Sequence, residues 1–150
     1  MSTIKAISLW EPWASLIRTG AKTYETRSWP TKYRGPLLIC AANKGLTQSN
    51  MVKLLRTRDF QDALPFLGEI SHLPFRCVLE RFYFGKAVAL VELQYCVKTE
   101  HICDAVKERE QYFGDFSSGR YAWSLKIINN TFEPFSIRGR QGFFNVEVKL

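Results

Sequence analysis

Apolar and polar positions alternate from Thr3 to Leu9, the period of a half-buried strand, and the run leads straight into Trp10-Glu11-Pro12-Trp13. Pro12 suits a first helical position, Trp13, Leu16 and Ile17 recur at helical spacing, and Gly20 can take a left-handed stop, which predicts a short helix over 12–19. Lys22 to Trp29 reads as the next strand, closed by Pro30. Period-two geometry puts Thr23, Glu25 and Arg27 on one of its faces and Lys22, Tyr24 and Thr26 on the other. Pro36 to Ala42 is an unbroken apolar run, the pattern of a strand covered on both sides.

A second helix is expected near 48–58, burying Met51, Leu54 and Leu55. Residues 59–83, punctuated by Pro65, Gly68 and Pro74, read as an irregular insertion whose aromatic residues need cover or offer a docking surface for another protein. Gly85 to Lys98 is the clearest long strand, with Ala87, Ala89, Val91, Leu93, Tyr95 and Val97 on one face. Ile102, Ala105, Val106 and Arg109 suit a third helix. Strands are expected again at Tyr121 to Ile128, at Phe132 to Ile137 and at Phe143 to Leu150, the last with Phe144, Val146, Val148 and Leu150 inward. Six or so strands with two or three short helices predict an α+β fold: a small, partly closed β-barrel of about six strands whose openings the helices cover.

One domain over residues 1–150 fits the length. The composition, 46% hydrophobic and 23% charged, is globular, and its 14% aromatic content is high. Net charge adds a direction: +7 makes polyanions, nucleic acid above all, the first partner class to test. The excess is unevenly placed. Residues 1–58 hold ten Lys or Arg against Glu11 and Glu25, residues 59–115 are net acidic, and residues 116–150 are basic again. Either these cations are scattered over solvent, or the fold joins the two basic segments into one patch.

No apolar signal core opens the sequence and no run approaches the roughly 20 apolar residues of a membrane span, so no membrane contact and a cytoplasmic location are expected. Cys40, Cys77, Cys96 and Cys103 form no C-x-x-C pair and read as free thiols. No metal or cofactor is expected. His72 and His101 are the only imidazoles, and phosphate-loop, nucleophile-elbow and zinc-binding motifs are absent.

What remains is Gly20-Ala21-Lys22-Thr23-Tyr24-Glu25-Thr26-Arg27. Arg27 as a forked donor, Lys22 as a point charge and Glu25 as an acceptor or base can line one cavity if Lys22 turns toward it. The same residues can also form a plain ion pair on a solvated face.

Three stretches make the pattern familiar: Ser8-Leu9-Trp10-Glu11-Pro12-Trp13-Ala14-Ser15-Leu16, Gly20-x-Lys22-x-x-Glu25-x-Arg27-Ser28-Trp29, and Tyr33-Arg34-Gly35-Pro36-Leu37-Leu38-Ile39-Cys40-Ala41-Ala42. Together they closely resemble the ASCH domain family of the PUA-like superfamily, and Gly119-Arg120-Tyr121-Ala122-Trp123 and Gly139-Arg140-Gln141-Gly142-Phe143 extend the likeness more loosely. The resemblance implies a β-barrel with a cleft lined by the G-x-K-x-x-E-x-R segment, and association with RNA or DNA. Two positions depart from the family pattern. Glu11 stands where the family usually has Gln, which puts a negative charge where a neutral amide would face the cleft. Glu25 stands where the family's small N4-acylcytidine amidohydrolases look to carry Thr.

The expected function is therefore nucleic-acid binding, RNA or DNA, by a monomer. Lys22, Glu25 and Arg27 would hold a base or nucleotide end, Trp29 and Tyr33 would stack on bases, and Arg34, Lys44, Arg120, Arg138 and Arg140 would position the backbone. The alternative is a metal-independent hydrolase acting on modified nucleosides or RNA, an amidohydrolase or nuclease, with Lys22 as base or nucleophile and Glu25 or Glu92 handling the proton.

Overall fold

The computed structural model describes residues 2–43, 53, 56–67, 73, 74, 77, 81–129 and 131–149. Seven strands form one mixed sheet: β1 (Ser2–Leu9), β2 (Tyr24–Arg27), β3 (Gly35–Ala41), β4 (Lys86–Lys98), β5 (Tyr121–Ile127), β6 (Phe135–Ser136) and β7 (Phe144–Val148). Their order is β2-β5-β4-β3-β1-β7, with β6 pairing the start of β4. β1 and β3 run parallel, which requires a crossover, and the helix α1 (Trp13–Thr19) together with β2 supplies it. All the other pairs are antiparallel.

β3 shows why these residues make this sheet. Leu37, Ile39 and Ala41 point to one side, joining Ile7, Leu9, Val91, Leu93, Trp123 and Ile17 of α1 in one core. Leu38 and Cys40 point to the other, meeting Ile4, Ala6, Ala87 and Phe144. The unbroken apolar run is thus covered on both faces, as its pattern predicts. Burial among carbon atoms pushes the Cys40 thiol up to about 12, so it is packing rather than a nucleophile. All four cysteines are free.

α1 starts and stops where its residues dictate. Gly20 adopts φ 83° and donates its N–H to the Ile17 carbonyl, while Leu16 and Ile17 are fully buried. A third cluster joins Leu16 to Leu67, Phe82 and Phe113, so the aromatic insertion packs Phe82 inward rather than offering it as a docking face.

Several boundaries differ from the sequence-based expectation. The short helix α2 (Arg58–Ala63) and the 3-10 turn Leu64–Phe66 open a segment expected to be irregular, and Met51, Leu54 and Leu55 of the helix expected near 48–58 lie outside the described residues. No helix spans Ile102 to Arg109: a 3-10 turn at Thr99–His101 and turns precede a single helical turn, α3 (Glu108–Gln111). Thr99 organises this segment instead, its hydroxyl bonding the carbonyls of Ser117 and Arg120. In β4 the ladder to β5 shifts register between Leu93 and Tyr95. That bulge ends the inward alternation, and Tyr95 turns outward to 39% exposure.

The sheet is not closed into a barrel, in contrast to the partly closed barrel expected. β2 has four residues and pairs only with β5, and no ladder joins it to β7 or β1 among the described residues. It bends toward β1 all the same: the Arg27 guanidinium donates to the Ser8 carbonyl at 3.2 Å, and Trp29 packs edge-on against Trp123 and Phe143, with ring centroids 4.7 and 5.7 Å away. The gap left between β1 and β2 opens into a cleft.

Candidate functional site

The cleft has a volume of about 1510 Å³. Its walls come from both sides of the open seam: Ser8 and Trp10 at the end of β1, Glu25 and Arg27 on β2, Tyr112 after α3, and the Arg138 to Gly142 loop. The two basic segments of the chain thus meet at one place, together with part of the acidic middle.

Lys22, Glu25 and Arg27 come together. Strand parity would separate Lys22 from the other two, but β2 begins only at Tyr24, so Lys22 lies outside the pleat and is free to turn. Its Nζ lies 3.8 Å from Glu25 Oε1, and Arg27 Nη2 lies 3.5 Å from Glu25 Oε2. Glu25 and Arg27 line the cleft, whereas Lys22 lies beneath it, fully buried, with Nζ donating to the Phe113 carbonyl at 2.5 Å and 5.8 Å from the centre of the Trp13 ring. Burial pulls the Lys22 ammonium below its ordinary range, and Glu25 and Glu110 oppose that shift. Glu110 is itself buried, its Oε1 accepting both the backbone N–H and the hydroxyl of Thr23.

The other predicted residues divide clearly. Arg120 lines the cleft, bonds the Thr26 carbonyl at 3.3 Å and lies 3.5 Å from Asp115. Hydrogen bonds from Ser117 hold the Asp115 carboxyl below its usual value. Arg138 and Arg140 also line the cleft, exposed, with no hydrogen bond or ion pair to any described residue. Gly139 between them approaches β1 so closely that an added Cβ would lie 2.7 Å from Ser8 Oγ. Arg34 lies apart, its guanidinium bonded to the carbonyls of Thr31 and Tyr33, and Lys44 falls outside the described residues. Glu92 is exposed on β4 opposite Lys126 and does not border the cleft.

The aromatic residues differ in their packing. Trp29 is packed on Trp123 and Phe143, and Tyr33 packs on Phe143 at 5.8 Å while its hydroxyl donates to the Pro36 carbonyl. Both rings are half-buried; Trp29 belongs to the cleft lining, whereas Tyr33 does not. Trp10 and Tyr112 are exposed, at 66% and 50%, and both line the cleft. Trp10 stands just past the end of the β1 alternation, a position that periodicity does not orient. Tyr112 and Glu110 lie in a segment remote in sequence, and no local pattern links them to Thr23 or Lys22.

Glu11 does not face the cleft, contrary to expectation. It is buried at 2% exposure, and its carboxylate accepts from the Ser15 backbone N–H at 2.8 Å, the Ser15 hydroxyl at 2.5 Å and the Tyr83 N–H at 3.4 Å. It therefore caps the first turn of α1, where an acceptor satisfies an otherwise unpaired donor. Burial raises its pKa above 4.5 despite those hydrogen bonds. The native state then binds more protons than the unfolded chain above that value, so the stability linked to Glu11 is full at acid pH and declines as pH rises through the raised pKa. Gln does not titrate. Glu11→Gln should therefore gain stability relative to the parent between acid and neutral pH, and urea unfolding at both would refute this by showing no trend or the opposite one.

A second, smaller cavity of about 530 Å³ lies near Lys22 and Thr23, bordered by Tyr24 and Tyr95, whose hydroxyls are 2.7 Å apart. That hydrogen bond pushes the Tyr24 phenol up to about 12. Among the described residues no group of His, Cys, Asp and Glu is placed to hold a metal ion, and no helix is long and apolar enough to cross a membrane.

Compared with known families, the chain matches the ASCH domain model over residues 7–135. No curated protein matches it at a significant level.

Proposed function

This chain belongs to the ASCH domain family, within the PUA-like superfamily, and from that premise and the cleft we propose that it binds nucleic acid. The family is generally linked to RNA binding. One observation carries the proposal for this chain: the open seam between β1 and β2 gathers Arg27, Arg120, Arg138 and Arg140 around a cleft large enough for a nucleotide, with an exposed indole at its edge. Arginine forks suit phosphate oxygens, and an exposed ring suits a base.

Labelled RNA and DNA, single- and double-stranded, titrated at low salt should bind, and Arg27→Ala should weaken the binding. Absence of affinity for all four, or affinity indifferent to Arg27→Ala, would overturn the reading. The hydrolase alternative has less support. Its proposed base, Lys22 Nζ, is turned to the Phe113 carbonyl beneath the cleft, and Glu92 is on another part of the sheet.

A further inference from the structure

The cleft changes chemistry between its mouth and its interior. At the mouth stand Arg138 and Arg140, exposed and without a partner among the described residues. Further in lies Glu25, whose side chain is only 12% exposed and belongs to the same lining. A phosphate is attracted by the first, whereas a carboxylate offers its oxygens no donor. A base edge rich in N–H groups is attracted by a carboxylate, which accepts hydrogen bonds and donates none.

Five large hydrophobic side chains are exposed among the described residues: Trp10, Tyr95, Tyr112, Ile128 and Phe135. Trp10 and Tyr112, the two most exposed, line this one cleft. Stacking on such rings requires a base with a free face, and duplex bases have none away from the ends. Glu25 narrows the choice further. Its Oε1 accepts the Thr26 N–H at 3.0 Å, while Arg27 and Lys22 approach at 3.5 and 3.8 Å, so the two oxygens retain acceptor capacity.

Resting on the nucleic-acid reading above, we infer that the cleft selects an unpaired guanine: its ring stacks on Trp10, its N1–H and N2 amino group meet Glu25, and its flanking phosphates lie on Arg138 and Arg140. Guanine is the base that offers two adjacent N–H donors on one edge, matching two carboxylate oxygens. Adenine and cytosine set a donor beside an acceptor, and uracil flanks one donor with two acceptors. Base pairing occupies all of these groups, so selection requires a single strand or an everted nucleotide. Glu25 is then the specificity-determining residue of the site.

The test is fluorescence anisotropy with short uridine-rich RNA strands that differ only in one central nucleotide. The guanine strand should bind about tenfold or more tighter than its adenine, cytosine and uracil counterparts, the size expected of one bidentate contact. Inosine in its place, lacking the N2 amino group, should lose much of that margin, as should annealing to a complement. Trp10→Ala should weaken every strand by about tenfold. Glu25→Gln, which exchanges one acceptor for a donor, should move the preference toward adenine or cytosine. If that variant fails to fold, the inosine and duplex comparisons decide the matter on the unaltered protein. Equal, salt-sensitive binding of all central nucleotides overturns the guanine inference and leaves nucleic-acid binding standing. No binding of any strand at low salt overturns both.

Discussion

Lys22→Met is expected to lower the stability of the protein by about 3–5 kcal/mol, the usual result of removing one partner from a buried charge cluster. The side chain is buried to 2% exposure, and its Nζ serves the Phe113 carbonyl while lying 3.8 Å from Glu25. Methionine fills most of the volume, so the loss is electrostatic and not a cavity effect. The Phe113 carbonyl loses its donor, and the carboxylates of Glu25 and Glu110 lose the cation that both favour. The ion pairs do not fully offset desolvation, because the net effect of burial, the largest influence, leaves the Lys22 pKa below 10.5. This gives the prediction a sign in pH. Between the lowered native value and 10.5 the unfolded chain binds the extra proton, so the stability of the parent linked to Lys22 rises with pH over that window. The gap between parent and Lys22→Met, read by urea unfolding, should therefore widen as pH is raised above neutral. A loss under 1 kcal/mol, or a gap that narrows, would rule out this account.

That result bears on how the G-x-K-x-x-E-x-R segment is understood. Its spacing showed that three ionisable groups could converge, and they do. It did not show that they would divide their tasks. Lys22 escapes strand parity because β2 begins two residues later, and its ammonium then bonds the Phe113 carbonyl while Glu110 holds the neighbouring Thr23. Those residues lie about ninety positions on, just past the stretch from Ile102 to Arg109 whose spacing resembled a helix, and such long-range contacts leave no local trace.

The strands of the core were legible for the opposite reason. Alternation in β1 and the apolar run of β3 are local consequences of which faces are buried. The bulge at Gln94 was invisible because one extra residue leaves the composition unchanged while inverting the parity of all that follows, which is how Tyr95 came to face out. Barrel closure was equally beyond local reading. Whether β2 pairs back to β1 depends on its length and on the bend at Trp29, and here it stops at four residues and leaves the seam open.

The open seam also decides where charge should matter. A chain of net charge +7 binds polyanions weakly whatever its fold, so salt-sensitive binding alone does not locate the site. Two pairs of exposed cations separate general attraction from a placed contact. Arg138 and Arg140 border the cleft, while Lys107 and Lys126 are exposed elsewhere. Replacing either pair with alanine removes the same charge. Each phosphate contact on a single strand adds about 0.7 to the slope of log affinity against log salt, so Arg138→Ala with Arg140→Ala should make that slope shallower by about 1.4. Lys107→Ala with Lys126→Ala should leave it almost unchanged. Because none of the four makes an ion pair with a described residue, thermal unfolding of both double variants should match the parent, and the comparison then reads binding alone. Equal slopes for the two variants would mean that nucleic acid is held by the overall charge and not by the cleft between β1 and β2.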